Sequence, residues 1–237
     1  FGIKLKTSFS GDDELQVKFD AGNSDDGNLD EFDKHDKGDG LIVDGISYKF
    51  PLGDKTTAFV GDSVDGSSLY NTACVYSGPS KTLSDCGASE SPLGKGAGIA
   101  AGASYEIGNG FTLGFAYTGD GTTEGLMTKE GLDAYGSQLS YEGDSYGASV
   151  TYSINETSTS AETTYWGLNA YYQPESNLPS ISVGYEIGNP SESAIDTTHY
   201  FAGLQWDDFG PGKFGVAFGT KAHTNENATE LLMYEAF

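Results

Sequence analysis

Residues 98–119 read GIAAGASYEIGNGFTLGFAYTG, and apolar residues alternate with small or polar residues along both halves of this stretch. The apolar face comprises Ile99, Ala101, Ala103, Tyr105 and Ile107 before the turn, and Phe111, Leu113, Phe115 and Tyr117 after it. Gly108-Asn109-Gly110 supplies the residue types that a tight hairpin turn requires. Alternation with a period of two is typical of a half-buried β-strand. The stretch therefore predicts an antiparallel hairpin with one apolar face.

The same alternation recurs from one end of the chain to the other. Further hairpins are predicted to turn at residues 10–13, 51–55, 142–145, 174–179 and 207–212, and a last strand runs from about Thr229 to Phe237. We count about thirteen strands. Each is near the ~10 residues that a tilted membrane strand requires.

The predicted connections alternate in length. Short turns alternate with longer acidic or Ser/Thr/Asn-rich loops at residues 23–40, 65–95, 120–132, 155–162, 189–197 and 221–228. Aromatic residues gather beside the short turns, as in the belt of a membrane–water interface. Short turns at one end and long loops at the other are typical of an outer-membrane barrel. The sequence predicts an all-β fold, a transmembrane antiparallel up-and-down β-barrel.

The direction of the strands predicts a larger barrel than the sequence itself contains. If the short turns are periplasmic, the first strand runs inwards, whereas a barrel chain normally starts and ends in the periplasm. We therefore expect residues 1–237 to be part of the barrel, with at least one strand before Phe1 and about two after Phe237. A total of about sixteen strands leaves an aqueous channel.

The composition excludes several other classes of protein. The 237 residues are 37% hydrophobic and 13% aromatic, and the net charge is −23 with lysine as the basic residue throughout. Without an apolar run of about 18 residues, a transmembrane helix is not expected. Nucleic acid is not an expected partner, because it needs basic patches. A soluble β-sandwich or β-helix is the alternative fold.

Cys74 and Cys86 lie in one polar, turn-rich segment. Their proximity predicts a local disulfide, which implies an oxidising compartment. Two free thiols are the alternative. No metal site is expected here, because no histidine or further cysteine lies nearby.

Several short stretches carry a resemblance to a known family: TSFSGDDEL at 7–15, FDAGN at 19–23, GAGI at 96–99, WDDFGPGK at 206–213 and YEAF at 234–237. The chain resembles the cyanobacterial outer-membrane porins of the OprB-like superfamily, which carry a surface-layer-homology domain and are often labelled iron-uptake porins. Gln16 and Lys18 stand where arginines are common in that family.

The resemblance implies a passive channel for ions and small polar solutes in the outer membrane. It implies a homotrimer in contact with membrane lipid and lipopolysaccharide, and an upstream peptidoglycan-binding domain that this chain lacks. A structural tether between outer membrane and cell wall, or a receptor for phage or another surface partner, is the alternative function.

Charged residues fall on the polar face of the predicted strands. The candidate pore-lining residues are the lysines Lys4, Lys6, Lys18 and Lys49 and the acidic residues Asp20, Glu106 and Glu186. Opposed charge rows across a constriction produce a transverse field that orders polar solutes. The alternative is that these residues are merely solvated. Acidic loops favour cations at the mouth and the lysines favour anions further in, so the net ion preference stays open.

Two long loops carry their own hypotheses. The loop at 65–95 contains both cysteines and either folds inwards to narrow the channel or caps its mouth; a disulfide would stiffen either arrangement. The loop at 23–40 is rich in Asp and Asn, whose oxygens suit calcium. Its spacing does not match an EF-hand, so a solvated acidic loop is the preferred interpretation.

Catalysis finds little support in the sequence. The three histidines are far apart in the sequence, at His35, His199 and His223. No Ser-His-acid arrangement can be recognised from the sequence. No glycine-rich phosphate loop precedes a helix. We therefore expect neither an enzyme nor a cofactor.

Overall fold

The computed structural model of the chain describes residues 2–21, 40–77, 85–93, 98–119, 125–128, 130–175, 177–193, 195–210, 212–220 and the backbone of 229–236. These residues form thirteen β-strands: β1 Gly2–Thr7, β2 Glu14–Asp20, β3 Ile42–Pro51, β4 Thr56–Asp62, β5 Ile99–Gly108, β6 Phe111–Gly119, β7 Asp133–Glu142, β8 Tyr146–Ser158, β9 Ala161–Tyr172, β10 Ser180–Pro190, β11 Thr197–Phe209, β12 Gly212–Thr220 and β13 Thr229–Ala236. A 3-10 turn, Asp85–Gly87, lies between β4 and β5.

The strands form one sheet in sequence order from β1 to β13, and each pairs antiparallel with the next. In the hairpin quoted above, Tyr105 lies opposite Leu113 and Ala101 opposite Tyr117, so residues predicted to share the apolar face do share it. The all-β, antiparallel up-and-down architecture and the number of strands are confirmed. None of the described helices is long and apolar enough to cross a membrane.

The two faces of the sheet invert the usual polarity of a soluble protein. Among the described residues, the largest fully buried side chains are all polar: Gln138, Glu186, Thr151, Thr220, Ser91, Ser153 and Ser182. On the other face large apolar side chains are exposed, among them Leu5, Val60, Phe115, Leu168 and Trp166. Monomers in water rarely expose a contiguous apolar patch larger than a few hundred Å². A lipid-facing outer surface and a polar inner face explain this arrangement.

Aromatic clusters lie at the ends of the strands joined by short turns. Phe9 packs against Tyr48, with ring centroids 6.1 Å apart. Tyr141 packs between Phe111 and Tyr146, at 4.9 and 5.5 Å. Around the β11–β12 turn, Phe214 packs against Trp206 and Phe209. The predicted gathering of aromatics beside the short turns is present.

One predicted loop is wrong. Residues 155–162 do not form a long connection, because β8 extends to Ser158 and β9 begins at Ala161. Asn155 pairs with Thr163, and Glu156 pairs with Glu162. The Ser/Thr-rich composition that suggested a loop here also suits the alternating faces of a strand, since threonine is enriched in strands. The predicted acidic loop at 23–40, with its calcium hypothesis, lies outside the described residues apart from Gly40.

Candidate functional site

Cross-strand register assigns the charged residues to a single face. Lys18 lies opposite Lys4 on β1 and opposite Gly45 on β3. Lys49 lies opposite Glu14 on β2 and opposite Phe59 on β4. Residues directly opposite each other share a face, and this chain of partners continues across the sheet to the buried polar residues. We call this surface the inner face.

A long segment between β4 and β5 lies across the inner face. We call its described residues, 65–77 and 85–93, the inner strap. At its start Val64 and Leu69 pack with the buried side chains of Phe59 and Ala100. Tyr70 then lies where a side chain on Gly114 of β6 would be, since a Cβ there would be 2.8 Å from the Tyr70 ring. Burial raises the pKa of the Tyr70 hydroxyl well above its usual range.

The outgoing arm of the inner strap, residues 71–77, is held by a ladder of hydrogen bonds. The backbone N–H groups of Asn71, Ala73, Val75 and Ser77 donate to the side-chain oxygens of Gln138, Ser149, Ser182 and Gln205, in that order, at 2.7, 3.0, 3.1 and 2.8 Å. These acceptors belong to β7, β8, β10 and β11. In an extended chain alternate N–H groups point to the same side, so every second residue can donate to the wall.

The length of this arm matches the width of the wall that it crosses. A fully extended chain advances about 3.3 Å per residue, so the six steps from Asn71 to Ser77 span at most about 20 Å, somewhat less here because the Cys74 N–H donates to the Thr72 carbonyl oxygen at 2.8 Å. The four strand spacings from β7 to β11, at about 4.8 Å each, add to about 19 Å. The arm therefore runs nearly perpendicular to the strands.

The returning arm, residues 85–93, is anchored by side chains of β9 and β10. The Asn169 amide donates to the Cys86 carbonyl oxygen at 2.8 Å. The Glu186 carboxylate accepts the backbone N–H of Ser91 at 2.7 Å and that of Glu90 at 3.2 Å. A Cβ on Gly184 would overlap the Cys86 carbonyl oxygen. A glycine is therefore needed here for the arm to approach the sheet so closely.

A disulfide joins the two arms. Cys74 of the outgoing arm is bonded to Cys86 of the returning arm, with Cα atoms 6.4 Å apart. Around this bond Cys86 packs against Phe201 and Ala217, and the Tyr76 ring lies 5.1 Å from that of Phe201. The predicted disulfide is confirmed. The hypothesis that the loop at 65–95 folds inwards is confirmed for its described residues.

The structure places the predicted pore-lining residues in three different surroundings. Lys4, Lys6, Lys18, Lys49 and Asp20 lie together on the inner face of β1–β3, away from the ladder. Glu106 is exposed near the β5–β6 turn. Glu186 lies on the inner face but is fully buried beneath the inner strap. Its carboxylate is an anchor for the strap and is not exposed to the lumen.

Two kinds of functional residue were missed in the sequence. Glu14 lies among the lysines: its carboxylate is 2.9 Å from the Lys6 ammonium and 3.9 Å from that of Lys49. The acceptors Gln138 and Gln205 were missed as well. Inner-face parity could have found Glu14, since it alternates with Gln16 and Lys18 on β2. Among the described residues, no three His, Cys, Asp or Glu side chains gather in a way that could hold a metal ion.

No known family profile matches the sequence, and no curated protein matches it. Solved structures do match. The outer-membrane channel DcaP of Acinetobacter baumannii is 10% identical with a TM-score of 0.51, and the match covers 98% of this chain and 81% of that chain. The likeness is one of fold, an antiparallel up-and-down sheet of the kind that forms the wall of a β-barrel.

Two further similar structures are porins. A porin variant of Rh. blastica is 12% identical with a TM-score of 0.46, and the match covers 97% of this chain and 86% of that chain. An anion-selective porin from Comamonas acidovorans is 14% identical with a TM-score of 0.45, covering 98% of this chain and 72% of that chain. The resemblance to cyanobacterial OprB-like porins stays a prediction.

Proposed function

We propose that this chain forms the wall of a water-filled channel in the outer membrane, through which inorganic ions and small polar solutes diffuse passively. One observation carries the proposal. A thirteen-stranded up-and-down sheet has an exposed apolar face and a polar inner face, and a disulfide-closed segment is hydrogen-bonded across that inner face. A barrel with this polarity encloses water, and the inner strap narrows the enclosed space.

The proposal extends to ion preference. The lysines Lys4, Lys6, Lys18 and Lys49 lie on the inner face of β1–β3, together with Glu14 and Asp20. Four ammonium groups against two carboxylates give this part of the wall an excess of positive charge. Rings or rows of like charge at a constriction select for counter-ions. This part of the channel wall therefore favours anions over cations, although the chain as a whole is acidic.

Reconstitution in planar lipid bilayers tests the channel. Stepwise, ohmic increases in conductance in potassium chloride are expected, with no requirement for an energy source. A protein that extracts without detergent and produces no conductance steps would overturn the proposal. Heat-modifiable migration on a gel is the accompanying test of a barrel in the membrane.

Reversal potentials in a salt gradient test the ion preference. Replacing Lys4, Lys6, Lys18 and Lys49 together by Gln should shift the reversal potential towards the cation side. Lys55→Gln, in the short β3–β4 turn, is the matched control and should leave the potential unchanged. An identical shift in the control, or none in the fourfold variant, rejects a role for these lysines. The homotrimer, the contacts with lipopolysaccharide and the upstream peptidoglycan-binding domain stay predictions from the family resemblance.

A further inference from the structure

Lys4 and Lys18 form an unusual pair on the inner face. They lie directly opposite each other on β1 and β2, so their Cβ atoms are about 5 Å apart. Like charges in this position destabilise a sheet. The other two lysines of the group are compensated, because Glu14 lies 2.9 Å from Lys6 and 3.9 Å from Lys49. Within the described part of the chain, Lys4 and Lys18 make no ion pair.

The surroundings of this pair supply further hydrogen-bond donors. Gly45 is the neighbour of Lys18 on β3, and a Cβ on it would lie 2.5 Å from the Ser63 carbonyl oxygen and 3.1 Å from the Val64 side chain, so these groups border the pair on this side. In the next row of the same face, Gln16 lies opposite Lys6 and Ser47. An amide and a hydroxyl therefore lie one row from the two ammonium groups. Asp20 lies one row away on the other side along β2.

We propose that Lys4 and Lys18 form a binding site for a small oxyanion with two negative charges, such as inorganic phosphate, as it passes through the channel. The inference rests on the proposed channel function and names a solute class for it. Two ammonium groups on one face neutralise both charges of the anion, and charge-assisted hydrogen bonds to phosphate are among the stronger ones. The Gln16 amide and the Ser47 hydroxyl supply donors for its remaining oxygens. Binding in an open, hydrated wall stays weak enough for release, as conduction requires.

Chloride conductance in the presence of phosphate tests the site. The whole protein is reconstituted in a planar bilayer in potassium chloride at mildly alkaline pH, where phosphate is largely a dianion, and inorganic phosphate is then added. A saturable decrease in chloride conductance is expected. Sulfate, which has the same charge, should compete in the same way. Nitrate, which has a single charge, should not.

Variants assign the effect to the lysine pair. In the double variant Lys4→Gln, Lys18→Gln the phosphate concentration for half-block should rise at least about tenfold, since one hydrogen bond to a charged group contributes about a factor of ten in affinity. Lys18→Arg keeps the charge and should keep the block. Lys55→Gln, outside the inner face, should behave as the wild type.

The outcomes separate this inference from the channel itself. A protein without conductance in potassium chloride rejects the proposed function. A conducting channel that phosphate does not block, or whose block is equal in the double variant, rejects the oxyanion site alone. An equal block by nitrate rejects the assignment to dianions.

Discussion

The inner face consists of two regions that differ in how they are built. The inner face of β1–β3, which we call the open wall, carries long charged side chains that are largely solvated: the Lys6 and Lys49 side chains are 51% and 46% exposed. The inner face of β6–β11, which we call the covered wall, carries short hydroxyls, amides and glycines that are buried under the inner strap. The open wall leaves its charged groups in contact with water, and the covered wall uses its polar groups to hold a segment of the chain.

The difference teaches what a polar strand residue does in a barrel. On the covered wall every acceptor of the ladder is used by a backbone N–H of the inner strap. Burying a polar group without a partner is unfavourable, so wall and strap stabilise each other. On the open wall, water can hydrogen-bond to the charged side chains, so folding does not fix which residue types occur there. Under the proposed function, their charges are therefore available for ion selectivity. Geometry is therefore set on one side of the channel and charge on the other.

Removing the inner strap should expose the polar groups of the covered wall to water, so that the two walls no longer differ in this respect. Of the variants proposed here, this one should change the conductance most. Replacing residues 71–87 by a short Gly-Ser linker is expected to raise single-channel conductance several-fold, because pore diameter limits conduction. Changing Gln138, Ser149, Ser182 and Gln205 together to Ala keeps the chain length and should raise conductance in the same direction. Unchanged conductance in both variants would show that the inner strap does not narrow the path. Shortening the β10–β11 connection at residues 191–193 is the control.

Breaking the disulfide should loosen the inner strap over the covered wall without removing it. The Cys74–Cys86 bond closes a loop with a sequence separation of 12 residues. Loops of this size are stabilised by about 3 kcal/mol when cross-linked. Cys74→Ser with Cys86→Ser should lower the free energy of unfolding in detergent by about this amount and increase the noise of the open-channel current. Reduction of the wild type should reproduce both effects. If neither variant nor reductant alters them, the hydrogen-bond ladder alone holds the strap.

The open wall could be predicted from the sequence, and the covered wall only in part. The alternation of side chains along a strand involves only neighbouring residues, so the sequence around Lys4, Lys18 and Lys49 is enough to assign these lysines to one face. The ladder joins residues 67 to 128 positions apart. Gln138 and Gln205 carry no local sign of their partners, because any polar residue suits an inner position. Which strands a loop crosses depends on the three-dimensional surface of the whole sheet, and short-range patterns do not encode it.

The variant Glu186→Gln tests whether the buried carboxyl group on the covered wall anchors the inner strap. In Glu186→Gln one amide oxygen can still accept the Ser91 N–H, but the second oxygen, which also accepts the Glu90 N–H, is replaced by an NH₂ group that cannot. Leaving a buried donor without its acceptor costs about 1–3 kcal/mol, and we expect a loss of this size in urea unfolding in detergent micelles. Glu106→Gln, an exposed carboxylate at the β5–β6 end, is the matched control and should change little. Equal losses in the two variants would contradict the anchoring role.

Asp13 offers the smallest and most local test, on the side of the open wall. Its buried carboxylate accepts hydrogen bonds from the Ser8 and Ser10 hydroxyls, from two backbone N–H groups of the β1–β2 turn and from the Tyr48 hydroxyl of β3. These hydrogen bonds, that from Ser8 foremost, hold the pKa of Asp13 far below its usual range.

Because the folded-state pKa is depressed, this stabilisation is fully present above the ordinary aspartate pKa of about 3.9 and is lost only as the pH falls towards the lower folded value. Asp13→Asn should speed hydrogen exchange at the Phe9 and Ser10 amides at neutral pH, because the turn loses a charged acceptor. Asp12→Asn, an exposed neighbour in the same turn, should not. Conductance should stay unchanged in both variants, since the turn lies at the rim and the lysines keep their register. A change in conductance with Asp13→Asn would mean that the positions of the lysines on the open wall depend on this turn. They would then depend on it in the way that the position of the inner strap depends on its ladder of hydrogen bonds.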